Sequence, residues 1–179
     1  MQSKNFCSTS NLERISTALK NGKIAVLPTD TIYGFHCLAS DENAINKINN
    51  LKGRDQNTPY ITLISDVSDL QNFGITLSDY ELRVTKNLWP GRNTIIFTRD
   101  DLSKSFRLPD YKFLIDLLKM TGPLVSTSAN KHGAPPSRSV DEIYKIFKNM
   151  VDLYVDGGML ANPASSIYKI ENENVVKIR

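Results

Sequence analysis

Ile24-Ala-Val-Leu27, closed by Pro28 and followed at once by Thr29-Asp-Thr-Ile-Tyr-Gly34, is the segment from which the architecture unfolds. Four apolar residues in a row are too few for a helix and leave no polar face, the pattern of a strand buried on both sides. Upstream, Leu12, Ile15, Ala18 and Leu19 recur at helical spacing over Asn11–Asn21, with Ser10 or Asn11 as N-cap and Gly22 as the stop. Downstream, Asp41 caps a helix through Leu51, with Ala44, Ile45, Ile48 and Leu51 as its inner stripe and Gly53 at its end.

The alternation continues along the chain. Tyr60–Ile64 reads as a strand, Val67–Phe73 as a weak helix and Ser78–Leu88 as a better one, broken by Trp89-Pro-Gly91. Thr94–Phe97 and Ser105–Leu108 read as strands, Asp110–Met120 as a helix, and Pro123-Leu-Val125 as a further buried strand. Ser139 caps a helix over Val140–Asn149, and Leu153–Val155, Ser166–Ile170 and Val175–Ile178 are short strands, the last two a hairpin. The pattern predicts one α/β domain: a twisted, mixed and partly parallel sheet with helices on its faces.

The chain has 179 residues, 40% hydrophobic and 23% charged, ordinary globular usage that sets aside disordered, collagen-like and coiled-coil classes. Its longest apolar runs fall far short of the roughly 20 residues of a spanning helix. Met1–Asn11 lacks the apolar stretch of a secretory signal, so the expectation is a cytoplasmic protein with no membrane partner. Cys7 and Cys37 have no CxxC or histidine-spaced partner and read as reduced thiols, with no metal site. A net charge of +3 favours an anionic ligand without marking a dedicated nucleic-acid binder.

In open α/β sheets ligands sit beyond the carboxyl ends of strands. Two hydroxyl-rich runs occupy such places, Thr29–Gly34 and Ser126-Thr-Ser-Ala-Asn130. Their hydroxyl, amide and backbone donors suit phosphate oxygens or a small polar ligand, and Lys52 and Arg54 supply cations. With the chain extended across Gly53, both cations would point the same way and grip a polyphosphate together. A plainer role fits the same residues: complementing a helix dipole for the cations, turn chemistry for the hydroxyls. His36 and His132 stand isolated. No Ser-His-Asp order, HExxH, Walker A or GxGxxG occurs, which argues against a hydrolase triad, a zincin, a P-loop enzyme and a dinucleotide-binding domain.

Pro28-Thr-Asp-Thr-Ile-Tyr-Gly34, Leu51-Lys-Gly-Arg54, Trp89-Pro-Gly91 and Ser126-Thr-Ser-Ala-Asn130, in this order, closely resemble the YrdC-like family of threonylcarbamoyl-AMP synthases. The likeness continues through Gly133–Glu142 and shows again at Asp156-Gly-Gly158 and Ser165-Ser166. It implies a single YrdC-like domain over residues 1–179, the short form without an additional carboxyl-terminal domain. It further implies condensation of L-threonine, bicarbonate and ATP, carried with Mg2+, into threonylcarbamoyl-adenylate and pyrophosphate. A downstream threonylcarbamoyl-transferase complex would then modify tRNA.

The family's Lys-x-Arg and Ser-x-Asn signature falls on Lys52, Arg54, Ser128 and Asn130, which the resemblance assigns to the triphosphate, with Lys52 and Arg54 as the catalytic cations. By the same likeness Thr31, Tyr33, Arg107 and Ser126 hold threonine, and Arg138 and Ser166 contact the nucleotide. Two departures stand out. Some relatives place a histidine that helps hold threonine within the segment aligned with Pro59–Ile64, where only Thr62 is polar here, and the Asp101–Phe106 loop is hard to align with the family. The competing expectations are a tRNA or double-stranded-RNA binding module without catalysis, whose mark is steep salt dependence, and a relative that forms a carbamoyl-adenylate.

Overall fold

The computed structural model describes residues 5–55, 58–99, 102–171 and 173–179. Residues 1–4 of the polar Met1–Asn11 segment and Asp101 of the Asp101–Phe106 loop lie outside them. Among the described residues the strands are β1 (Phe6–Ser8), β2 (Ala25–Leu27), β3 (Gly34–Leu38), β4 (Ile61–Leu63), β5 (Asn93–Arg99), β6 (Leu102–Arg107), β7 (Leu124–Ser128), β8 (Leu153–Asp156), β9 (Ser166–Glu171) and β10 (Asn174–Lys177). They form one sheet in the order β1-β8-β2-β3-β7-β4-β6-β5-β9-β10. The β1/β8, β2/β8, β4/β6 and β5/β9 pairs are parallel and the remaining ones antiparallel, so the expected mixed sheet is present.

The helices are α1 (Leu12–Lys20), α2 (Glu42–Lys52), α3 (Asp79–Leu88), α4 (Lys112–Thr121) and α5 (Val140–Phe147). Their ends follow the capping residues. Asp41, Ser78 and Ser139 each accept a backbone N–H of the first turn, and Gly53 closes α2 in the left-handed region at φ 62°. The weak helix at Val67–Phe73 is a 3₁₀ segment opened by Asp66.

Strand alternation sorts the core onto two faces. Val26, Phe35, Cys37 and Val125 pack with Ala44 and Ile48 of α2 and with Ile143 and Phe147 of α5. Ala25, Leu27, Leu63 and Leu124 pack with Ile15 and Leu19 of α1 and with Leu114, Leu117 and Leu118 of α4. A third cluster joins Ile95, Phe97 and Phe106 to Leu70, Ile75 and Trp89. Each fully buried side chain of this kind contributes about 1.5–3 kcal/mol relative to exposure.

β1 has no counterpart in the sequence expectation, and two further departures bear on the site. Gly34-Phe-His-Cys-Leu38 is a strand, β3, where the sequence reading ended in turn chemistry at Gly34. It is legible only as alternation, since Phe35 and Cys37 enter the core beside α2 while His36 and Leu38 point the other way. In addition, Ser126-Thr-Ser128 does not follow its strand but forms the last three residues of β7. Those hydroxyls lie within the sheet rather than beyond it.

Candidate functional site

A cavity of about 380 Å³ lies across the sheet, walled by Thr29, Thr31–Gly34, Pro59–Ile61, Ser126–Ser128, Ile96, Ser105, Arg107, Pro136, Ala164, Ser165, Ile167, Ile178 and Arg179. The strand register explains the composition of its floor. His36 pairs with Ser126, Ser126 with Ile61, Ile61 with Ser105 and Ser105 with Ile96, so these side chains stand in one row on one face. The cavity therefore lies over the sheet face, not only at the strand ends that the sequence pointed to.

The Thr29–Tyr33 turn is fixed internally. Thr29 Oγ1 donates to Ile32 O at 2.7 Å and accepts the N–H groups of Thr31 and Ile32 at 3.0 and 3.1 Å. Because that hydroxyl proton is committed, Thr31 Oγ1 is the donor in the 2.9 Å contact between them. Arg107 reaches the same turn, donating from Nη1 to Thr31 Oγ1 at 3.0 Å and from Nη2 to Asp30 Oδ1, while its Nε donates to Gly91 O at 3.1 Å. Asp30 also accepts the amide of Asp110 through Oδ2 at 3.3 Å. Both members of the Arg107–Asp30 ion pair are buried, so each satisfies a charge that would otherwise be stranded.

Tyr33 lines the cavity, but its hydroxyl is tied to the Gly157–Gly158 backbone. That hydroxyl donates to Gly158 O at 2.8 Å and accepts Gly157 N at 2.9 Å, and burial pushes the phenol up to about 12. Gly157 must be glycine for this contact, since a Cβ there would stand 2.5 Å from Pro28 Cβ.

Lys52 and Arg54 differ from the expected picture. Gly53 is a left-handed helix cap, not an extended link, and the two side chains diverge. Lys52 is buried and donates from Nζ to Ser128 O, Asn130 O and Asn130 Oδ1 at 2.6, 2.8 and 3.0 Å. Its own carbonyl accepts His132 N at 3.1 Å. Burial, helped by the neighbouring Arg54 charge, pulls this ammonium down to about 8. Arg54 lies on the Tyr60 ring at 3.9 Å, and donates from Nε to Asn49 Oδ1 at 3.0 Å and from Nη1 to Thr127 Oγ1 at 3.3 Å. Its Nη2 is buried and has no hydrogen-bond partner among the described residues.

Of the residues singled out from the sequence, Thr31, Tyr33, Arg107, Ser126 and Ser128 meet at this cavity. Arg54 touches it through Thr127 and Tyr60, both wall residues, and Lys52 and Asn130 form the layer beneath Ser128. Arg138 lines an adjoining cleft of about 470 Å³ with Leu160 and Asn162, which shares Ile32, Pro136 and Ala164 with the first cavity. Ser166 begins β9 and donates its N–H to Arg92 O at 3.0 Å, whereas its neighbour Ser165 reaches the cavity wall. The sequence reading missed Asp30, Ser105, Ser165 and above all His36, which is fully buried and meets Ser126 Oγ at 3.1 Å. Reading β3 as an alternating strand would have put His36 on the row of Ser126.

Among the described residues no cluster of histidine, cysteine, aspartate and glutamate has metal-holding spacing, and no helix is long and apolar enough to cross a membrane.

The Sua5/YciO/YrdC family model, described as telomere recombination, matches residues 17–179. A mouse protein named threonylcarbamoyl-AMP synthase is 32% identical over 168 residues, covering 88% of this chain and 59% of its own. Among solved structures, P. abyssi Sua5 complexed with L-threonine superposes with a TM-score of 0.87 at 23% identity over 96% of this chain and 54% of that one. E. coli YciO superposes at 0.86 and 21% identity over 100% of this chain and 95% of that one. At these identities the two superpositions establish the fold. The chain thus spans about three fifths of the mouse relative and about half of the archaeal one.

Proposed function

Because the chain belongs to the Sua5/YciO/YrdC family, we propose that it is a threonylcarbamoyl-AMP synthase, a nucleotidyltransferase working as one unit over residues 1–179. Its substrates are L-threonine, bicarbonate and ATP, the Mg2+ arriving with the triphosphate. The observation that carries this reading is Arg54 Nη2, a buried guanidinium donor without a hydrogen-bond partner among the described residues, on a side chain whose Nη1 bonds the wall residue Thr127; an anionic oxygen reaching it from the cavity would satisfy it.

The threonine amine and bicarbonate combine to a carbamate with loss of water. A carbamate oxygen then bonds to the α-phosphorus as the bond to the pyrophosphate oxygen breaks. No protein nucleophile is needed, so the residues act by placement and charge. Arg54 meets the phosphate oxygens. Lys52, its three donors engaged by Ser128 and Asn130, holds the Ser128–Asn130 segment in shape. Arg107 holds the carboxylate end of threonine, with Thr31 fixing its guanidinium by accepting from Nη1, and Ser126 stands between amino acid and phosphate. Arg138 carries the nucleotide into the adjoining cleft, and Ser166 supports that end. The product passes in the cytoplasm to a threonylcarbamoyl-transferase complex acting on tRNA.

Pyrophosphate release by the purified chain, with threonine and bicarbonate omitted separately, tests the reading. Release that needs both, and falls about 10²–10³-fold in Arg54→Ala, supports it. Release indifferent to threonine would point to a carbamoyl-adenylate. Absence of release with tight, salt-sensitive RNA binding would replace synthesis by a binding module.

A further inference from the structure

The His36 imidazole is held from three sides. Its Nδ1 lies 2.9 Å from Gly34 O, its Nε2 lies 3.1 Å from Ser126 Oγ, and its ring rests where a Cβ on residue 34 would come within 2.8 Å of Cε1. A carbonyl only accepts, so Nδ1 carries the proton and Nε2 is bare. Ser126 must therefore donate its hydroxyl proton to Nε2. What Ser126 Oγ has left for the cavity is lone pairs alone. A carboxylate cannot use such an atom; an amine or a hydroxyl can, and of threonine's two donors the amine sits on the carbon that carries the carboxylate.

Given the proposed threonine substrate, we infer that His36 is a positioning residue: it fixes Ser126 Oγ as a pure acceptor, which binds the substrate's nitrogen and turns its carboxylate toward Arg107. The contact outlasts the first chemical step, because the nitrogen keeps one N–H in the carbamate and in the adenylate. Binding shared by ground and transition states moves KM and leaves kcat nearly unchanged. His36 itself does not take the proton. Burial, with the nearby Arg107 charge, holds the imidazole down at about 3, far below what a base at neutral pH requires. The arrangement places an imidazole near the amino-acid end of the cavity in a chain whose Pro59–Ile64 segment has none.

Steady-state kinetics with L-threonine, and inhibition by 3-hydroxybutyrate, which keeps the carboxylate and hydroxyl but lacks the amine, test this assignment. His36→Leu is expected to raise the threonine KM about tenfold, with kcat and the ATP KM within about twofold and the 3-hydroxybutyrate inhibition constant unchanged. His36→Gln, whose amide oxygen can replace Nε2, should restore KM to within about threefold of the starting value. Combining His36→Leu with Ser126→Ala should be no worse than Ser126→Ala alone, the mark of two groups acting as one unit. Should His36→Leu fail to fold, His36→Asn, which reaches Gly34 O but not Ser126, carries the same expectations. Equal weakening of threonine and of the amine-free acid, or additive losses in the double variant, would overturn the role of His36. Absence of threonine-dependent pyrophosphate release in the unsubstituted chain would instead sink the proposed function, and this inference with it.

Discussion

Lys52 and Arg54 stand two residues apart and carry the same formal charge, yet their surroundings give them different work. The Lys52 ammonium spends its three N–H groups on oxygens of Ser128 and Asn130, so it is a tie before it is a ligand. With this group pulled down to about 8, raising the pH removes a proton that the tie needs. The pyrophosphate-release rate should accordingly fall along a limb centred near pH 8. Lys52→Arg, whose guanidinium stays charged to above about pH 12, should move that limb out of the accessible range. A rate flat from pH 7 to about 9.5 would contradict this assignment. The sequence made the cationic pair and the Ser-x-Asn run visible because residue types at fixed spacing are legible. That Lys52 and Asn130 join, while Arg54 keeps an open donor, was not legible, because the Gly53 cap turns the two side chains apart.

Among the elements, α2 is the one whose ends matter most to the site, since its last residue is Lys52. Asp41 starts it and Gly53 stops it, both readable from the sequence because capping is local chemistry. A Cβ on Gly53 would meet nothing within 4 Å, so substitution there acts through the backbone alone. Gly53→Ala should destabilise the fold by about 1–2 kcal/mol through the left-handed φ, read as a lower midpoint in urea with an unchanged slope. It should also reduce activity by displacing the Arg54 approach. The strands divide by a similar logic. β2 was legible as an unbroken apolar run, whereas β3 and the end of β7 were not. Ser126 and Ser128 present hydroxyls to the cavity, their β3 partners are Gly34 and the buried His36, and this pattern carries no apolar signal on that face.

For the molecule as a whole, the buried neutral imidazole of His36 couples folding to pH. Its folded value of about 3 lies below the roughly 6.5 of an unfolded chain, so below pH 6.5 the unfolded state binds the extra proton. The stability present above pH 6.5 is lost as pH falls toward 3, amounting to about 2 kcal/mol between pH 6.5 and 5. Denaturant titrations of the unsubstituted chain and of His36→Gln should therefore converge on acidification across that interval. Parallel curves would show that His36 does not set this slope. The sheet has a second molecule-wide property. β4, three residues long, is the sole strand between β7 and β6, so the halves that carry Ser126 and Arg107 meet along a narrow seam. A substrate held by both residues spans that seam from above. The amides of Ile61–Leu63 then become its reporters: they should exchange with solvent deuterium sooner than those of β7 in the free protein, and slow most when threonine and ATP are bound together. The substrates would in effect supply the cross-bracing that so short a strand leaves out.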